Sequence, residues 1–277
     1  MKLATARMAG STRAVKVEGD TLIDLGAADL GAFLARPDWR ELAAAATQPT
    51  YPGADVQFAT LVPRPSKVLC VGLNYRTHIL EMGRDLPTYP TVFAKFAETL
   101  IGPTDDIKRP AETQAFDWEV ELAVVIGASV RRASPAQAEA AIAGFTVLND
   151  ITCRDWQNRT IEWLQGKAWE GTTPVGPFLV TPDELPGGVR PTLDVSLSVN
   201  GEQMQADTTA DLLFDPVALV TYLSTVITLN PGDIIATGTP SGVGHARRPE
   251  RYLTGGERVV AEIAGLGRLD NLVVEDW

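Results

Sequence analysis

FDWEVELAVVIG, Phe116 to Gly127, is the stretch on which the fold turns. It opens with acidic residues and ends in an unbroken apolar run. The apolar half reads as a buried β-strand. Side chains alternate along a strand, so Glu119 and Glu121 share one face while Val120 and Leu122 take the other. Alone, such a pair is ordinarily a solvated strand face, because Glu is seldom buried unless paired. Its meaning depends on what the rest of the chain brings near it.

Outward from this strand, apolar runs and turn signals alternate on both sides. KVLCVGL (67–73) reads as a second buried strand, and NYRTHILEMG (74–83) follows it as a helical turn. SPAQAEAAIAG (134–144) opens as a helix, with Ser134 as N-cap and Pro135 in the first turn. FTVLND (145–150) is a strand again, and TCRDWQNRTIEWLQG (152–166) reads as one helix. LDVSLSVNGEQMQ alternates around Asn200-Gly201, a strong two-residue hairpin signal. GDIIATGTPSGVG runs from a strand into a glycine-rich loop, and RVVAEIAGLGRLDNLVVE closes the chain as a second hairpin. Before residue 60 the pattern is a strand meander plus a helix in ARPDWRELAAAA. Pro63 and Pro65 restrict the backbone to extended shapes and mark a boundary. The expectation is a β-rich α+β protein, with a small N-terminal α/β domain over 1–65 and a catalytic domain over 66–277.

Composition narrows the function classes. The chain has 277 residues, 45% hydrophobic and 21% charged, an ordinary globular balance. Its net charge of -11 argues against nucleic acid and anionic membranes as partners. Cys70 and Cys153 form no CxxC pair and read as buried thiols of a reducing compartment. The first residues lack the apolar core of a secretory signal, and the uncharged stretch from Pro216 to Gly232 is too short and polar to span a bilayer. The expected location is cytoplasmic.

Four groups of residues can carry chemistry. Asp150 ends an apolar strand, where packing gives no reason for a carboxylate. With Glu119 and Glu121 it makes a hard-oxygen set suited to Mg²⁺ or Mn²⁺, with Ca²⁺ also possible; without His or Cys ligands, zinc is disfavoured. His78 and Glu81 lie three apart on a helical turn and can touch, the arrangement of a carboxylate-oriented general base. Arg154 and Gln157 share a helix face and could pin a substrate carboxylate or carbonyl, while Lys167, after Gly166, could stabilise a developing enolate or oxyanion. The turn TGTPSGVG (237–244) is neither GxGxxG nor GxSxG, which leaves Thr239 presented toward a ligand as its useful reading.

Together, KVLCVGLNYRTHILEMG, FDWEVELAVVIG, GFTVLNDITCRDWQ, the QGK before TPVGPFLV, and TLNPGDIIATGTPSGVG resemble the fumarylacetoacetate hydrolase family, in the family's order, from Ser66 to the C-terminus. The resemblance implies a mixed β-sandwich roll that forms a homodimer. It implies that Glu119, Glu121 and Asp150 bind a divalent metal, Mg²⁺ first, and that His78 and Glu81 activate water. It implies substrate contacts from Arg154, Gln157, Lys167 and Thr239, and a lid over roughly Ile79 to Pro90. Phe96 after Lys95, and Trp169-Glu170, depart from common family residues near the expected pocket and bear on substrate identity. The implied activity is carbon–carbon bond hydrolysis in a small β-dicarbonyl acid such as an acylpyruvate, in aromatic or keto-acid catabolism. Decarboxylation of an oxaloacetate-type acid and enol–keto isomerisation are alternatives on the same site. A non-catalytic metabolite-binding protein is the competing class, and the presence of both His78 and Glu81 weighs against it.

Overall fold

A computed structural model describes residues 1–8, 10–53, 56–81, 83 and 85–276, with only the backbone of Glu81 included. The N-terminal meander is β1 (Lys2–Met8), β2 (Ser11–Glu18) and β3 (Thr21–Asp24), followed by helices α1 (Leu30–Leu34) and α2 (Trp39–Ala45) and then β4 (Thr50–Pro52). The central segment carries β5 (Val68–Gly72), α3 (Arg76–Glu81), β6 (Thr91–Lys95), β7 (Leu100–Ile101), β8 (Ile107–Pro110), β9 (Phe116–Asp117) and β10 (Val120–Ile126). Next come α4 (Pro135–Ala141), β11 (Ile142–Asn149), β12 (Thr152–Cys153), α5 (Arg154–Gln157), α6 (Leu164–Lys167) and β13 (Thr173–Val180). The last third holds β14 (Asp194–Val199), β15 (Glu202–Thr208), α7 (Pro216–Val226), β16 (Ile234–Ala236), β17 (Arg258–Ile263) and β18 (Gly267–Asp276).

Most strands join one mixed sheet in the order β4-β3-β2-β1-β13-β11-β10-β16-β5-β6. A second sheet runs β15-β14-β17-β18-β8. The β-rich expectation holds, and its reason is visible in β10. Val120, Leu122, Val124 and Ile126 pack with Val195, Leu197, Val259 and Ala261 of the second sheet. The alternate residues Ala123 and Val125 pack on the other face with Phe33, Trp39, Val68 and Cys70. A strand buried on both faces must read as a continuous apolar run, as this one does. Each fully buried large side chain here, Phe145 for example, is worth about 3–5 kcal/mol against truncation to Ala.

β1 pairs with β13, so the first 65 residues extend the main sheet and share its core with the segment that follows. The expected hairpin at Asn200-Gly201 is present, with φ of 51° and 83° at the two turn residues, and Ser134 caps α4 in a capping box with Gln137. The single helix expected over 152–166 is instead two short turns, α5 and α6. Gly166 brings them together: a Cβ there would lie 2.5 Å from Gln157 Cβ and 2.7 Å from the Cys153 carbonyl. A continuous helix would carry Lys167 away from Arg154, whereas the fold-back sets them side by side. The stretch after Pro216, read only as uncharged, forms α7, capped by Asp215 and buried through Val217, Leu219, Val220 and Leu223. Among the described residues no helix is long and apolar enough to cross a membrane. Cys70 and Cys153 are free and buried.

Candidate active site

The strand ends β5, β10, β11 and β16 and the turns α3, α5 and α6 meet at one cavity of about 210 Å³. Its walls include His78, Glu119, Glu121, Arg154, Gln157, Lys167 and Thr239. Glu119 sits just before β10, Glu121 is its second residue, and Asp150 follows β11 directly. Because β10 and β11 pair with Val120 opposite Asn149, the three carboxylates arrive together. One carboxylate oxygen from each lies within 4.8 Å of the others, and all three residues are buried. Asp150 is completely buried behind the cavity wall.

Cations hold two of these acids. Lys167 Nζ bridges Glu119 Oε2 and Asp150 Oδ2, each at 2.7 Å, and lies 4.9 Å from the centre of the Phe93 ring. Lys95 Nζ meets Asp150 Oδ1 at 2.7 Å and the Ile151 carbonyl at 3.0 Å. Burial pushes the Asp150 carboxyl up, but Lys167 and Lys95 outweigh it and bring it down to about 2. Burial likewise disfavours the Lys167 ammonium, and Asp150 and Glu119 outweigh it, so its pKa ends above the usual value. Glu121 behaves oppositely. Burial and then repulsion from Asp150 and Glu119 push it well above the ordinary carboxylate range, against Lys167 and a 2.7 Å hydrogen bond from the Gly238 N–H. A third carboxylate short of positive charge, with two acids beside it and an all-oxygen donor set, fits a divalent cation.

Arg154 is also buried and many-sided. Nε donates to Asp117 Oδ2 at 2.8 Å and Nη1 to Gln157 Oε1 at 3.0 Å. Nη2 lies 2.6 Å from Glu119 Oε1 in an ion pair; burial disfavours the guanidinium charge, and Glu119 and Asp117 outweigh it. Thr239 lines the cavity, although its hydroxyl already donates to the Val120 carbonyl (2.9 Å) and accepts from Gln205 (2.9 Å). Gly238 must be glycine on two counts. Its φ is +103°, and a Cβ would meet Asn74 Cβ at 2.9 Å and the Val71 carbonyl at 3.0 Å.

The turn that presents His78 is held by Asn74. Its Nδ2 donates to the carbonyls of Phe214 (3.0 Å) and Thr237 (2.7 Å), and its Oδ1 accepts from the Phe214 N–H (2.8 Å). Beside it Leu73 stands at φ +56°, a conformation rare for leucine, on the cavity wall. His78 is buried and reaches the cavity. The side chain of Glu81 lies outside the described residues, as do Met82 and Arg84 of the expected lid.

The sequence reading missed Lys95, Asp117, Gln205 and His245. Lys95 closes β6 as a lysine in an otherwise apolar strand, and Asp117 lies inside the quoted FDWEVE stretch, where its acid was available to be read. Nothing local marks Gln205, a residue of the second sheet whose side chain accepts from the Val120 N–H and donates to Thr239 and to the Pro240 carbonyl.

The fumarylacetoacetate hydrolase C-terminal family model matches residues 67–274. The bovine (Bos taurus) protein named oxaloacetate tautomerase FAHD2A, mitochondrial, is 45% identical over 234 residues, covering 83% of this chain and 74% of its own. The solved structure of 5-carboxymethyl-2-hydroxymuconate delta-isomerase from Mycobacterium smegmatis is similar with a TM-score of 0.82 at 32% identity, covering 100% of both chains. Maleylpyruvate hydrolase from Sphingobium sp. SYK-6, in complex with manganese(II) ion and pyruvate, is similar with a TM-score of 0.82 at 29% identity, also over 100% of both chains. With the family model spanning residues 67–274 and a relative 45% identical over 83% of the chain, the chain belongs to the fumarylacetoacetate hydrolase family.

Proposed function

We propose that the protein is a divalent-metal-dependent enzyme that moves a proton on a short 2-keto acid, with keto–enol tautomerisation of an oxaloacetate-like diacid as its first activity. The observation that carries this reading is the buried Lys167 ammonium, set between two acids of the triad in a cavity that His78 also lines. Glu119, Glu121 and Asp150 would hold the metal, Mg²⁺ first, which supplies Lewis acidity to the keto oxygen when bound. Arg154 and Gln157, both on the cavity wall, would take a substrate carboxylate oxygen. Lys167 donates to the oxygen on which negative charge grows as the enol forms. His78 takes the proton from the carbon beside the keto group and returns it, with Glu81 in the orienting role. The wall of Phe93 and Trp163 excludes water from that exchange. The similarity to relatives named oxaloacetate tautomerases moves this alternative ahead of carbon–carbon hydrolysis.

Hydrolysis is the second reading, favoured by the similarity to a maleylpyruvate hydrolase solved with manganese(II) and pyruvate. There His78 would take its proton from water. One experiment separates the two: oxaloacetate and an acylpyruvate are each given to the enzyme with Mg²⁺, and carbon-bound deuterium uptake and pyruvate release are followed by NMR. Deuterium uptake into oxaloacetate that outpaces pyruvate release from either acid supports the tautomerase. Pyruvate release from the acylpyruvate alone replaces it with the hydrolase.

A further inference from the structure

The chain contains two histidines, and both line the cavity. His78 has a role above; His245 has none. It sits in the turn Gly244–Ala246 that follows the glycine-rich loop. Asp117 fixes this turn by accepting from the N–H groups of Gly244 (2.7 Å) and His245 (3.1 Å). The same carboxylate accepts from Arg154 Nε, so His245 and the guanidinium are placed by one buried anchor.

The imidazole is oriented by its neighbours. Nδ1 lies 2.8 Å from Tyr252 Oη, and the two rings stack with centroids 6.4 Å apart. Tyr252 Oη also donates to Glu250 at 2.9 Å, so the hydroxyl sits between the imidazole and that carboxylate. Glu250 lies 3.7 Å from Nδ1 and supplies a counter-charge. Nε2 makes no hydrogen bond among the described residues. Of the arginines in the same loop, Arg248 donates to the backbone carbonyls of His245 and Arg247 and lies 4.0 Å from Glu250. Arg247 donates to the carbonyls of Gly242 and Met204, and Arg251 pairs with Glu257 at 2.6 Å.

We propose that His245 is a specificity-determining residue that reads the distal carboxylate of a 2-keto diacid at the cavity mouth. This rests on the reading that the acid triad and Arg154 take the keto-acid end. With Nδ1 turned to Tyr252, Nε2 is the ring nitrogen left to meet a carboxylate, and Tyr252 and Glu250 back the ring on its other side. An apolar side chain there would leave the distal carboxylate without a donor, which penalises a diacid and not a monoacid of equal length.

The test compares oxaloacetate with 2-oxobutanoate, which carries a methyl group where oxaloacetate has its second carboxylate. Mg²⁺-dependent deuterium exchange and calorimetric binding are measured for wild type, His245→Leu and His245→Gln. The expected result is a fall of about 10-fold or more in the preference for the diacid in His245→Leu, carried by KM and Kd rather than kcat, the worth of one charge-assisted hydrogen bond. His245→Gln keeps a donor and should recover part of it. Equal losses on both acids, or an unchanged preference, overturn the inference. A wild type that binds neither acid with Mg²⁺ overturns the proposed function as well, which separates the two failures.

Discussion

Asp150 can stay ionised in a fully buried position because two ammonium groups face it, one on each oxygen. Removing either leaves a buried charge short of compensation, and that is costly. Lys95→Met should destabilise the protein by about 3–5 kcal/mol in urea unfolding, although the substitution nearly preserves shape. A loss under 1 kcal/mol would mean that Asp150 does not depend on Lys95. Glu121 makes the opposite case, since it is the acid with the least cationic support. Glu121→Gln removes a charge that is costly without metal and a ligand that is needed with it. We therefore expect apo stability to hold or rise, while calorimetric Mg²⁺ affinity falls at least 10-fold. Unchanged affinity would remove Glu121 from the metal site.

Between elements, the N-terminal meander is tied to the main body by Arg7 of β1, whose guanidinium meets both oxygens of Asp105 at 2.6 Å. Burial raises the Asp105 carboxyl, but Arg7 and the Gly102 N–H outweigh it and hold it below the ordinary value of 3.8. Its folded pKa is thus depressed. The stability it contributes is complete above the unfolded value and is lost as pH falls through the folded one. Both partners are about a third exposed, so Arg7→Ala should cost about 1 kcal/mol at pH 7, and the cost should fade below pH 4. An equal cost at pH 3 would show that the packing of the Arg7 stem, not its charge, is what matters. At this scale the sequence was legible where periodicity is unambiguous. β10, β11, the Asn200-Gly201 turn and the capping of α4 follow from local pattern. The break between α5 and α6 was not legible, because Gly166 acts through a close approach to Gln157 and Cys153 rather than through local propensity. The three clustered acids could be read from alternation and from the position of Asp150. Lys95 and Gln205 could not, because their partners, Asp150 and Ile151 for one and Val120, Thr239 and Pro240 for the other, are distant in sequence and meet them only in the fold.

For the whole molecule, the sheet is left with β4 and β6 at its edges, and Leu80, Tyr89, Val226 and Ile227 are exposed apolar side chains. Such surface wants cover, and the family resemblance implies a homodimer. Light scattering at micromolar concentration should return twice the chain mass, and a stable monomer would refute the expectation. The central claim concerns the cavity. A buried all-oxygen acid triad with Lys167 and His78 around it should activate the carbon beside a keto group only when a divalent metal is bound. The direct measurement is the NMR rate of deuterium exchange at C3 of oxaloacetate, taken with Mg²⁺, after chelation, and in His78→Ala with Mg²⁺. We predict fast exchange in the first case, the uncatalysed rate in the second, and a loss of about 10²-fold in the third, the usual worth of a general base. Exchange at the uncatalysed rate with Mg²⁺ and the wild-type enzyme, or full exchange in His78→Ala, would contradict the account.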